Sequence, residues 1–128
     1  MDKAVIIDDD PLFAKALKHK LSFTYGFEVE SYKSAERALN SLNTDPGIIF
    51  LDYQLSVGTE VMDGLMALRV LKKNYPKCTI IMMSGVENTH WLKQGQKYGA
   101  RTFMTKSDNQ LTNLEKVITE FRINKANS

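Results

Sequence analysis

A few side chains in this sequence have the types and spacing to do chemistry together. Asp8, Asp9 and Asp10 follow directly on the apolar run "AVII". Asp52 stands in "IIFLDYQL", Ser84 in "IIMMSG" and Lys106 in "FMTKS". Carboxylates gathered in one cleft repel: at roughly 4 Å and an effective dielectric near 20, each like-charge pair costs about 4 kcal/mol. A divalent cation, a protonated carboxyl or a neighbouring amine must offset that cost. Ligands that are all oxygen suit a hard ion such as Mg²⁺. An ammonium from Lys106 and a hydroxyl from Ser84 beside the same carboxylate would make a pocket for a phosphoryl group on Asp52. Phosphoryl transfer depends mainly on such positioning and charge stabilisation, and aspartate can serve as its covalent acceptor.

This chemistry requires elements that bring distant residues to one rim. Runs of strand length recur at 4–7, 27–32, 47–51, 78–83 and 101–105. Four are nearly continuous in apolar or β-branched residues, as in strands buried on both faces of a parallel sheet. "FEVESY" alternates, with Phe27, Val29 and Ser31 on one side, and reads as a strand nearer an edge. Helical patterns fill the intervals. Residues 11–24 carry Phe13, Leu17 and Leu21, and residues 34–43 carry Ala35, Ala38, Leu39 and Leu42 behind Ser34 as N-cap. The next helix spans 64–75 and stops at Pro76, and another spans 88–98 and ends at Gly99. The last spans 108–123 with Leu111, Leu114, Val117, Ile118 and Phe121 on one stripe. Strict βα alternation predicts an α/β fold: a flavodoxin-like, doubly wound five-stranded parallel sheet of order 2-1-3-4-5 with five helices. In that order the first and third strands are neighbours, so Asp8, Asp9 and Asp52 converge at the carboxyl ends, with Ser84 and Lys106 on the same rim.

The 128 residues suit one domain able to bury a core without disulfides or a structural metal. A net charge of +2 gives no strong pull toward nucleic acid or anionic membrane. A single cysteine, Cys78, forbids an intramolecular disulfide and suits a reducing cytoplasm. The start lacks the pattern of a signal peptide, and no apolar run reaches membrane-spanning length.

With its acid pair, aspartate, serine and lysine each at the matching strand end, the sequence resembles the receiver (CheY-like) domain of two-component response regulators. The resemblance rests on "IIDDD", "FLDYQ", "MMSG" and "FMTKS" and extends over the whole chain, 1–128, as a single domain. It implies that Asp9 is the more direct Mg²⁺ ligand, with Mn²⁺ as a substitute, and that Asp8 acts through water. It implies that Asp52 is the phosphoacceptor and a metal ligand, and that Gln54 offers its backbone carbonyl to the metal. Ser84 would hydrogen-bond the phosphoryl oxygen, Lys106 would pair with the phosphoryl group, and Gly85 would leave room for the donor. Phe103 matches the switch aromatic that turns inward when Ser84 is drawn to the phosphate, and Val86 sits where the family tunes dephosphorylation. The implied partner is a sensor histidine kinase or phosphotransfer protein. The implied output is an unknown downstream target or a further C-terminal domain. The face of the fourth helix, fifth strand and fifth helix, with Trp91 and Tyr98 as candidates, would bind partners or a second copy. The implied protein is a cytoplasmic phosphoacceptor switch, with self-directed phosphoryl transfer and slow autodephosphorylation, rather than a turnover enzyme.

Three positions depart from the family pattern. The residue after Lys106 is Ser107, where the family usually has proline. Eleven residues separate Asp52 from Gly64, a longer loop than usual and one without proline. Phe103 has no hydroxyl, so its two states differ by packing alone. Asp10 precedes Pro11, a favoured pairing for N-cap and first helical residue, and is expected to cap the first helix and face away from the metal. The competing readings are a phosphorylation-independent binding module, a haloacid dehalogenase-type phosphohydrolase and a flavodoxin-like electron carrier. The second needs an acid where Gln54 stands. The third needs a phosphate-cradling loop where three carboxylates stand. Taken singly, each residue has a plainer role: Phe103 in the core, Lys106 on the surface, Ser84-Gly85 in a turn, and His19 and His90 on the surface.

Overall fold

The computed structural model describes residues 2–53, 63–85, 89–106, 111 and 113–127, without the side chains of Thr89 and Trp91. Gln54, Val86 and Ser107, and most of the long loop, lie outside the described residues, as does the Trp91 side chain. Strands β1 (Lys3–Ile7), β2 (Glu28–Tyr32), β3 (Ile48–Asp52), β4 (Thr79–Ser84) and β5 (Thr102–Thr105) alternate with five helices. These are α1 (Pro11–Phe23), α2 (Ala35–Ser41), α3 (Gly64–Asn74), α4 (Thr89–Lys97) and α5 (Leu114–Ala126). All pairings are parallel, in the order β2-β1-β3-β4-β5. That is the predicted order, and β2, the alternating segment, is an edge strand.

The pleat sorts the core into two layers, because successive side chains of a strand point to opposite faces. Ala4, Ile6, Ile48, Phe50, Ile81 and Met83 face α1 and α5, where they meet Leu17, Leu21, Leu114 and Phe121. Val5, Ile7, Ile49, Leu51, Ile80 and Met82 face the other way, onto Ala35, Ala38, Leu68 and Leu71. Continued to the strand ends, the same alternation sets the site. Asp8, Asp52 and Lys106 fall in phase with the α1/α5 layer. Ser84 and Phe103 fall in phase with the opposite one.

Helix ends follow local chemistry. The Asp10 carboxylate accepts from the backbone N–H groups of Leu12 and Phe13, and Ser34 accepts from Arg37 N–H. Asp63 caps α3 by accepting from Met66 N–H at 2.8 Å. Gly64 lies hard against the backbone of Tyr53: a Cβ there would fall 2.2 Å from the Tyr53 carbonyl oxygen. The two ends of the long loop are therefore in contact.

Two helices, α2 and α5, depart furthest from the sequence expectation. Leu42 is the C-cap of α2, in extended conformation, so that helix stops short of residue 43. Leu111 is not on α5. It is buried, has φ 54, and its carbonyl accepts from Leu114 N–H in a turn that precedes the helix. α5 instead runs on to Ala126. Leu111 shares the helical spacing because it buries against the same layer, not because it shares the helix.

Candidate functional site

Asp8 leaves β1 with its backbone N–H tied to Tyr32 O at 3.0 Å, and its carboxylate accepts from Asp10 N–H at 2.9 Å. Asp52 ends β3, and the next residue, Tyr53, donates to Met83 O at 2.7 Å. Lys106 N–H donates to Ser84 O at 2.8 Å, so β4 carries the start of the lysine side chain. From there the long side chain crosses in front of β4. Its ammonium lies 3.3 Å from Asp52 and 2.8 Å from Asp8. One oxygen from each of Asp8, Asp9 and Asp52 lies within 4.8 Å of the others. Asp8, Asp52 and Ser84 are buried, while Asp9 is half-buried.

Burial and charge compete at this rim. Desolvation pushes Asp8 up to about 6, against the Lys106 and Asp10 hydrogen bonds that favour its charged form, and the Asp52 charge pushes the same way as burial. Burial pulls Lys106 down, but the Asp8 and Asp52 carboxylates outweigh it, and its net shift is upward. The ammonium therefore stays charged. The three carboxylates form an all-oxygen donor set of the kind that suits a hard divalent cation.

The other sequence-selected residues fall around this centre. Ser84 ends β4, and Gly85 beside it is exposed. Phe103 is half-buried on the opposite layer, its ring 6.3 Å from that of Tyr53. It also fills the space over α4 that Gly95 leaves: a Cβ on Gly95 would fall 2.8 Å from the Phe103 ring. Asp10 points into the α1 cap. Tyr98 is half-buried, with the Arg69 guanidinium 4.7 Å from its ring centroid. His19 is exposed and stacks on Phe23, and His90 is exposed. Cys78 is buried just before β4, and burial pushes its thiol up to about 12, leaving no reactive thiolate.

Sequence reasoning missed three residues near the site. Tyr53 and Gly95 hold the Phe103 ring between them, and no spacing rule links residues 53, 95 and 103. Phe13 was legible only as a core residue of α1, yet the Lys106 ammonium sits 4.9 Å from its ring centroid.

Comparison with known proteins follows the same outline. The response regulator receiver domain family model matches residues 4–119. The DNA-binding transcriptional regulator NtrC of Proteus hauseri is 25% identical over 121 residues, which is 91% of this chain and 24% of the relative. A protein-glutamate methylesterase/protein-glutamine glutaminase of Rhodospirillum rubrum is 34% identical over 90 residues, 70% of this chain and 23% of the relative. The chain thus spans about a quarter of the length of these curated relatives. In fold, it superposes on a CheY-like response regulator receiver domain protein of Methanospirillum hungatei with a TM-score of 0.85. That match has 24% identity and covers 100% of this chain and 99% of the other.

Proposed function

This chain belongs to the response regulator receiver domain family of two-component systems, and on that premise we propose that it relays a signal by accepting a phosphoryl group on Asp52. The donor is a phosphohistidine on a partner kinase or phosphotransfer protein. A carboxylate oxygen of Asp52 forms the new bond to phosphorus, the phosphorus–nitrogen bond breaks, and the imidazole leaves with its electron pair. Lys106 balances the charge that the phosphoryl group brings. The Ser84 hydroxyl donates to a phosphoryl oxygen, and exposed Gly85 leaves the approach open. Asp8, Asp9, Asp52 and the backbone carbonyl of Gln54 would hold Mg²⁺, which when bound supplies further neutralisation of phosphoryl charge.

The observation that carries this reading is the placement of one ammonium within 3.3 Å of Asp52 and 2.8 Å of Asp8, among three clustered carboxylates. A phosphoryl group adds about −1.5 to −2 charge at neutral pH. It competes with Asp8 for Lys106 and draws on Ser84. Ser84 and Phe103 share one face of the sheet, so a shift at Ser84 opens space toward the Phe103 ring and away from Gly95. The face of α4, β5 and α5 then presents altered packing to a target or a second copy. The chain acts on its own aspartate and not on an outside substrate. The output belongs to a separate target or an attached domain, as the length of the curated relatives suggests.

Acetyl phosphate with Mg²⁺, followed by intact-mass measurement, tests this directly. Wild type gains one phosphoryl group and Asp52→Asn gains none. An equal adduct on the variant, or none on wild type, overturns the assignment. The second result would favour a phosphorylation-independent binding module.

A further inference from the structure

Lys106 has a neighbour besides its two carboxylates. Its ammonium lies 4.9 Å from the centroid of the Phe13 ring. Phe13 is half-buried on α1 and packed against the layer that contains Ala14, Leu17 and Phe50. Its backbone N–H donates to the Asp10 carboxylate at 3.3 Å, within the cap that starts the helix. A phenyl ring has a negative face that attracts a cation, more strongly where water is excluded. Lysine, by contrast, carries its charge on a flexible four-carbon stem with several rotamers.

We propose that Phe13 is a positioning residue for phosphoryl transfer: its ring face holds the Lys106 ammonium over Asp8 and Asp52. The proposal rests on the reading of Asp52 as phosphoacceptor. The carboxylates attract the ammonium from one side, and without a further wall the stem can swing toward solvent. The ring supplies that wall, and the Asp10 cap fixes the helical turn that carries it. The third acid thereby serves the site indirectly, through the Phe13 backbone and ring to Lys106. A ring that only filled space would be replaced equally well by leucine.

Two measurements on the full chain separate these roles. The first is the rate of phosphorylation by acetyl phosphate with Mg²⁺, with the thermal midpoint followed in parallel. Phe13→Leu should slow it about threefold to tenfold, and Phe13→Trp should restore it. Stepwise fluorination of the ring at residue 13 drains its face of electron density at nearly constant size, so the rate should fall with each added fluorine. Because that series preserves packing, it decides the matter even if Phe13→Leu folds poorly. The second is the NMR shift of the Lys106 ε-methylene protons, which needs no phosphate. The ring current should move them upfield in wild type, and Phe13→Leu should return them to ordinary values. Rates unchanged across the fluorine series, or no upfield shift in wild type, overturn the proposal. If wild type takes no phosphate, the Asp52 reading fails, and the Lys106 shift alone decides whether Phe13 positions the ammonium.

Discussion

The two ends of the sheet use lysine–carboxylate pairs in opposite ways. Toward the amino ends of the strands, Lys125 pairs with Asp2. The Lys125 side chain is 58% exposed. At the carboxyl ends, the Lys106 side chain is 15% exposed, and its partners Asp8 and Asp52 are at 0% and 4%. At this wet end, a pair as exposed as Lys125–Asp2 is screened by water and salt and contributes little. At the dry end, burial works against the charge on Asp8 and on Lys106, and three carboxylates crowd around one ammonium.

Removing Lys106 is the sharpest way to break this contrast. Lys106→Met leaves two buried carboxylates without their ammonium, which should cost about 3 to 5 kcal/mol of unfolding free energy in chelator at neutral pH. Urea denaturation measures it. A loss no larger than that of an exposed pair would mean that the two ends are alike after all.

The next effect is a pH dependence confined to the dry end. Asp8 titrates at 3.8 in the unfolded chain and at about 6 in the folded one. The folded state therefore binds the Asp8 proton more tightly. Its contribution to stability is full below the unfolded value and is lost as pH rises through the folded one. In chelator the difference is roughly 3 kcal/mol. Asp8→Asn should lack this dependence and be more stable than wild type at neutral pH. Parallel pH–stability curves for the two proteins would contradict the burial argument. The smallest effect belongs to the wet end: Lys125→Ala should change stability by at most about 1 kcal/mol, and by less as salt is added. A larger, salt-insensitive loss there would reverse the comparison.

The strand order and the rim were legible because both follow from periodicity. Apolar runs of strand length alternate with amphipathic helices, and the residue after each run must sit at a carboxyl end. Boundaries were less legible. Phe27 continues the alternation of its strand but lies just before β2 begins. Leu111 keeps a helical spacing while adopting a positive φ, which a non-glycine residue does not announce. Contacts between side chains from distant segments left no pattern to read. Phe13 under Lys106, and Phe103 between Tyr53 and Gly95, depend on sheet pleat and helix rotation together. The pleat does explain afterwards why Ser84 and Lys106, one residue past neighbouring strand ends in the pattern, face different layers.

The contact between Gly64 and the Tyr53 backbone has a consequence for how such a domain can change over time. It locates α3 relative to Asp52 by touch, not by counting residues. Once the neck is closed, the chain between can gain or lose residues at an entropic cost that grows only with the logarithm of its length. Eleven residues between Asp52 and Gly64 therefore need not disturb the position of Asp52. The length of that segment can change without moving the carboxylate cluster at the strand ends.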